Sequence, residues 1–280
     1  PQTIPKTDPQ PQATPPGQVT SSASSKRLVP LLGLLALACL AHTQRDTLFS
    51  WAAARGWIAD PAQVGQAQPD LRPLTAADQS LIEAAHRGDV AAVDQALDAG
   101  ANVNAFDRTG ESALMQAAAE GQLDVVRRLL QRGADPQFTN SIHPHRKGDT
   151  ALLRAAYRGH QEVFFALLQA GARTDVKNQW GWTSVHMAAG GDCVPCLDAL
   201  LERQLPLDET ADANRGETPF LMAAGQDAPH AMAWLQAHHV NVRAKDAHGE
   251  DAMGWARFFK AKASQDWLTQ HLPEQAGRTH

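Results

Sequence analysis

The sequence predicts an all-α solenoid, a row of stacked helix–turn–helix units with short hairpin turns running from about residue 74 to residue 272. Three features repeating in a common register predict it: paired alanines, a leucine after them and a glycine before them. The pairs are Ala84-Ala85, Ala117-Ala118, Ala155-Ala156, Ala188-Ala189 and Ala223-Ala224, closed by a degenerate Trp255-Ala256. Counted to Ala256, the spacings are 33, 38, 33, 35 and 33 residues. Thirteen residues after each first alanine, or twelve in the last two units, stands Leu97, Leu130, Leu168, Leu201, Leu235 or Leu268. Seven residues before it stands Gly110, Gly148, Gly181, Gly216 or Gly249. Repetition at this period is the mark of a repeat architecture.

The segments ahead of the repeats are of a different kind. Residues 1–27 are rich in Pro, Gln, Thr and Ser and read as a disordered tail, because they offer too little apolar surface to offset ordering entropy. Lys26-Arg27 then precedes an uncharged run, Leu28–Ala41, inside a candidate anchor segment 28–44. As a helix the run spans about 21 Å, short for a hydrocarbon core of ~30 Å but suited to a signal h-region or a minimal anchor. Four readings compete: an uncleaved signal anchor, a lipoprotein processed before Cys39, a signal cleaved after Ala41, and a buried helix. The anchor fits best, with Lys26-Arg27 on the cytoplasmic side and Trp51 and Trp57 at the far interface. Under the first three readings the repeats face the periplasm or the extracellular side. Residues 45–73 form a mixed connector, and 273–280 a short tail.

Within each unit the residue types have mechanical roles. The glycine suits a tight turn with positive φ. Ser112, Thr150, Thr183 and Thr218, two residues on, are placed to cap the first helix. Alanines let neighbouring first helices approach, and the leucine of the second helix fills the space between units, so that Leu168→Ala is expected to open a cavity. Gly100-Ala101, Gly133-Ala134 and Gly171-Ala172 end the second helices as left-handed caps; Gln204 and His238 stand there in the next two units.

These motifs resemble the ankyrin repeat. Gly181-Trp-Thr-Ser-Val-His186-Met-Ala-Ala189 is similar to its G-x-T-P-L-H-x-A-A signature, Thr218-Pro219-Phe220-Leu221 echoes it, and Gly100-Ala-Asn-Val-Asn104 is similar to its G-A-D-V-N segment. The resemblance implies an ankyrin-repeat solenoid of five to six units that binds a protein partner and is not an enzyme. It also implies that His186 bonds between neighbouring turns. The family's variable positions flank the turn glycine and follow the paired alanines, on a concave face. Here they include Arg108, Glu111, Arg146, Lys147, Tyr157, Arg158, Trp180, Trp182, Arg215 and Glu217. Trp, Tyr and Arg dominate binding hot spots, and the 38-residue spacing places an insertion near Ser141–Arg146 beside them. A basic and aromatic patch on a chain of net charge −5 favours a protein partner with an acidic surface.

Other chemistries have weaker claims. Cys193-Val-Pro-Cys196 is a candidate disulfide, or the seat of a periplasmic redox or stress-protection helper, although a thioredoxin-like strand–helix pattern is missing. His143-Pro-His145 and His238-His239 lack partners at metal-ligand spacing. No cofactor, metal, nucleic acid or small-molecule substrate is expected, because no phosphate-binding, nucleophile-elbow or zinc motif occurs. Exported bacterial ankyrin proteins suggest an adaptor or inhibitor, possible forms including an immunity protein against a toxin.

Overall fold

A computed structural model of the chain describes residues 74–143, 145–211 and 215–273. The 1–27, 28–44 and 45–73 segments lie outside the described residues, as does nearly all of the 273–280 tail. The described chain is a run of helix pairs: α1 Ala76–Arg87 with α2 Val90–Asp98, α3 Ala113–Ala119 with α4 Leu123–Gln131, and α5 Ala151–Tyr157 with α6 Gln161–Gln169. Then come α7 Ser184–Gly190 with α8 Val194–Glu202, α9 Pro219–Gly225 with α10 Pro229–Ala237, and α11 Ala252–Phe258 with α12 Lys262–His271. Each first helix packs on the next first helix and each second helix on the next second helix. Among the described residues the only extended pairing is two isolated bridges, Phe106 with Ser112 and Thr139 with Thr150.

Helix entry follows the predicted caps. Ser112, Thr150, Thr183 and Thr218 accept from the backbone N–H three residues on, and Thr75 and Asp251 do the same in the outer units. Every paired alanine is buried, which allows the close approach of first helices that a larger side chain would block. The second-helix leucines need a correction. The wholly buried residue is the one twelve after the first alanine in all six units: Ala96, Leu129, Leu167, Leu200, Leu235 and Leu268. Leu97, Leu130 and Leu168 are half-buried and Leu201 is exposed. One residue turns a helix by about 100°, so the thirteenth position sits at the edge of the seam. The left-handed C-cap is likewise at His239 (φ 61°), not His238, and at Gln204 (φ 59°) as expected.

Candidate binding face

The hairpin that enters each first helix is held by a residue three before the turn glycine. Asp107 Oδ1 accepts from the backbone N–H of Thr109 and Glu111. Asn178 Oδ1 serves Trp180 and Trp182, and Asp246 Oδ1 serves His248 and Glu250. Asn140 plays this part in the inserted hairpin, accepting from Ile142 and His143. These Asx turns were legible as an Asp/Asn at fixed offset from Gly110, Gly181 and Gly249, a signal that the search for exposed contact residues passes over.

Behind the tips runs a polar and aromatic layer that ties successive hairpins together. Glu111, 0% exposed, accepts at Oε1 from Arg146 and Arg154, both at 3.0 Å. Asn140 Nδ2 donates to the Thr109 carbonyl (2.8 Å), and Asn178 Nδ2 donates to Asp149 (3.0 Å). Trp180 donates through Nε1 to the His145 carbonyl, stacks loosely on the His145 ring, and carries the Arg215 guanidinium 4.3 Å from its own ring centre. Trp182, 6% exposed, donates through Nε1 to Glu217, which lies 3.6 Å from Arg215. Beneath this layer His186 takes the neighbouring turn's Glu217 carbonyl at 3.1 Å, the bond the family pattern implies.

Burial sets the electrostatics here. It pushes the Asp149 carboxyl up to about 6 against the pull of Arg154, and raises Glu217 against the pull of Arg215. It also takes His186 down to about 4, and His143 to about 4 with Arg146 adding to the effect. These side chains form the interior of the hairpin stack.

Two family models match the chain: "Ankyrin repeats (3 copies)" over residues 50–140, and "Ankyrin repeats (many copies)" over residues 114–168. The chain is an ankyrin-repeat protein. Curated relatives carry the same unit inside much longer chains. Neurogenic locus notch homolog protein 2 of Homo sapiens is 28% identical over 150 residues, which is 54% of this chain and 4% of that protein. The 2-5A-dependent ribonuclease of Mus musculus is 44% identical over 66 residues, 23% of this chain and 9% of that protein. Ankyrin repeat and SAM domain-containing protein 6 of Danio rerio is 48% identical over 63 residues, 22% of this chain and 8% of that protein. The chain thus matches less than a tenth of the length of each of these relatives. The ankyrin repeat is in general a non-catalytic protein-interaction scaffold, and protein partners follow from it.

On this ankyrin stack the ten candidate contact residues separate sharply. Glu111, Trp182, Arg215 (8% exposed) and Glu217 are buried, so their expected part in contacting a partner is corrected: they hold hairpin to hairpin. The turn glycines place them on alternate sides of each tip, and the neighbouring hairpin covers the inward side. Arg146 and Trp180 are half-buried and engaged as described. Tyr157, also half-buried, donates its hydroxyl to Gln226 Oε1 at 2.9 Å, across the intervening unit. Arg108, Lys147 and Arg158 are exposed, and none of the three forms an ion pair with a described carboxylate. The insertion is therefore no free arm. Its Arg146 turns inward while Lys147 stays outside.

Cys193 and Cys196 are joined in a disulfide with Cα atoms 5.2 Å apart, both buried at the start of α8. Among the described residues no group of three or more His, Cys, Asp and Glu is placed to hold a metal. His238 stacks on Trp234 and contacts its carbonyl at Nδ1.

Proposed function

We propose that this chain is a protein-binding adaptor or inhibitor, held at a membrane through residues 28–44 with its repeats outside the cytoplasm. The partner is a protein with an acidic surface. One observation carries this reading: Arg108, Lys147 and Arg158, on the hairpins and first-helix ends of adjacent repeats, are the candidate cations left exposed and without an ion pair, while Arg146, Arg154 and Arg215 are used up inside the layer. Solvated cations on a rigid scaffold steer an acidic partner and set its orientation. The disulfide supports an oxidising compartment, since such bonds are rare in the reducing cytosol. Among the described residues no helix is long and apolar enough to cross a membrane; the Leu28–Ala41 run lies outside them. An immunity-type inhibitor of a toxin is one form this function takes. The redox-helper reading draws no support, because both sulfurs sit in residues closed to an approaching substrate thiol.

The test is affinity capture from envelope extracts with the full chain and with an Arg108→Glu, Lys147→Glu, Arg158→Glu variant. The parent is expected to recover a partner whose association weakens as salt rises, and the variant to lose it. Equal recovery by both would overturn the charged-face reading.

A further inference from the structure

We propose that the same face carries an apolar subsite in its last units, walled by Tyr157 and Phe258, that takes an aliphatic or aromatic side chain of the acidic partner. This inference rests on the proposed function and names the second half of what the partner must present.

The first helices from α3 to α11 are all seven residues long, so their ends align unit by unit. The last residue and cap are Ala119-Glu120, Tyr157-Arg158, Gly190-Gly191, Gly225-Gln226 and Phe258-Phe259. Between the aromatic ends of α5 and α11, two helices end in glycine. Packing requires it: a Cβ on Gly191 would stand 2.1 Å from the Ala156 carbonyl oxygen, and one on Gly225 would stand 2.9 Å from the Trp255 ring. The consequence is a stretch of bare backbone between two aromatic walls. The Tyr157–Gln226 hydrogen bond crosses that stretch and fixes the ring of Tyr157 along it. Gln226 Nε2 is left hidden from water with no acceptor, a donor that the chain itself does not satisfy.

Phe258 is 40% exposed and meets Phe259 edge-on at 4.9 Å. The other two large apolar side chains exposed to this degree among the described residues, Phe165 and Leu201, lie on the second helices α6 and α8. Phe258 is thus the apolar feature on the side where the unpaired cations stand. Charge selects the occupant. Arg158 adjoins the Tyr157 wall, so an apolar side chain seated there arrives flanked by carboxylates. From Arg158 to Phe258 is three helix-to-helix steps, about 25–30 Å at the usual 8–10 Å spacing. An extended segment of twelve residues spans about 40 Å, so one linear segment reaches both features.

The experiment selects displayed random peptides of twelve residues on the full chain, with Phe258→Ala, Phe258→Glu and the Arg108/Lys147/Arg158 charge reversal as separate targets. Thermal melting by circular dichroism checks that each variant is folded. The expected winners combine Asp or Glu with a Phe, Trp or Leu. They lose about tenfold or more in affinity on Phe258→Ala, and more on Phe258→Glu. Acidic winners indifferent to both Phe258 variants would overturn the subsite and leave the charged face standing. Winners sensitive to Phe258 but indifferent to the charge reversal would overturn the acidic-partner reading on which the proposal rests. Failure to enrich any peptide counts against both. A Phe258-dependent dimer in light scattering would also overturn the proposal, since the patch would then be covered by a second copy of the chain.

Discussion

Replacing Trp182 should damage the scaffold before it damages binding. The indole is 6% exposed and donates to Glu217, a buried carboxylate that otherwise has only the Arg215 guanidinium, 3.6 Å away, beside it. Trp182→Ala removes the ring from a packed interior, a change that costs about 3–5 kcal/mol. Trp182→Phe keeps most of the apolar contact but deletes the donor. A hydrogen bond to a charged group is worth about 1.5–3 kcal/mol, and the stranded carboxylate adds its own desolvation. For an array of this size each kcal/mol moves the midpoint by roughly 2–4 °C, so the alanine variant should melt about 6–20 °C lower and the phenylalanine variant about 3–12 °C lower. Urea titration followed by circular dichroism at 222 nm gives the free energies. Repeat arrays need not unfold in one step, so tertiary loss is followed alongside by tryptophan fluorescence. If Trp182→Ala costs less than about 1 kcal/mol, the indole is a surface anchor after all and the assignment of the hairpin layer to structure fails.

The seam register gives a paired comparison. Leu167→Ala should cost about 2–5 kcal/mol and Leu168→Ala roughly 1 kcal/mol, because only the first leaves an enclosed cavity; equal losses in urea titration would show the register to be off by one. Asp149→Asn should flatten part of the pH dependence. A carboxyl raised from 3.8 to about 6 adds stability that is fully present below 3.8 and is lost as pH rises through 6, about 3 kcal/mol in all, so the variant should gain on the parent at neutral pH and not below pH 4. Burial of His143 and His186 works with the opposite sign in both proteins and cancels in the difference; a gap between parent and variant that does not change from pH 4 to pH 7 would refute the assignment. For topology, a periplasm-active reporter fused after His280 should work, and Leu34→Arg with Leu35→Arg should release the protein from membranes, each arginine costing about 2.5–3.5 kcal/mol on insertion. Activity from a cytoplasm-specific reporter alone would rule out export.

How much was legible in the sequence follows from the range of each interaction. The paired alanines, the Ser/Thr caps and the turn glycines act within one or two turns of their own helix, so their spacing alone determined the solenoid, its six units and the helix starts. His186 was legible too, because its partner, the Glu217 carbonyl, belongs to the next copy of the same unit. The side of each tip residue was another matter. Trp180 and Trp182 flank one glycine, as Arg215 and Glu217 flank another, yet the neighbouring hairpin decides which is enclosed and by what. Arg146 and Lys147 are consecutive cations, and only the approach of Glu111, 35 residues away, sorts one inward and the other outward. The leucine register failed for the same reason: positions twelve and thirteen are both leucine in three units, and composition cannot say which of two adjacent leucines faces the seam. Local spacing therefore determined the architecture, whereas contacts between neighbouring repeats decided which of the candidate contact residues remain free to meet a partner.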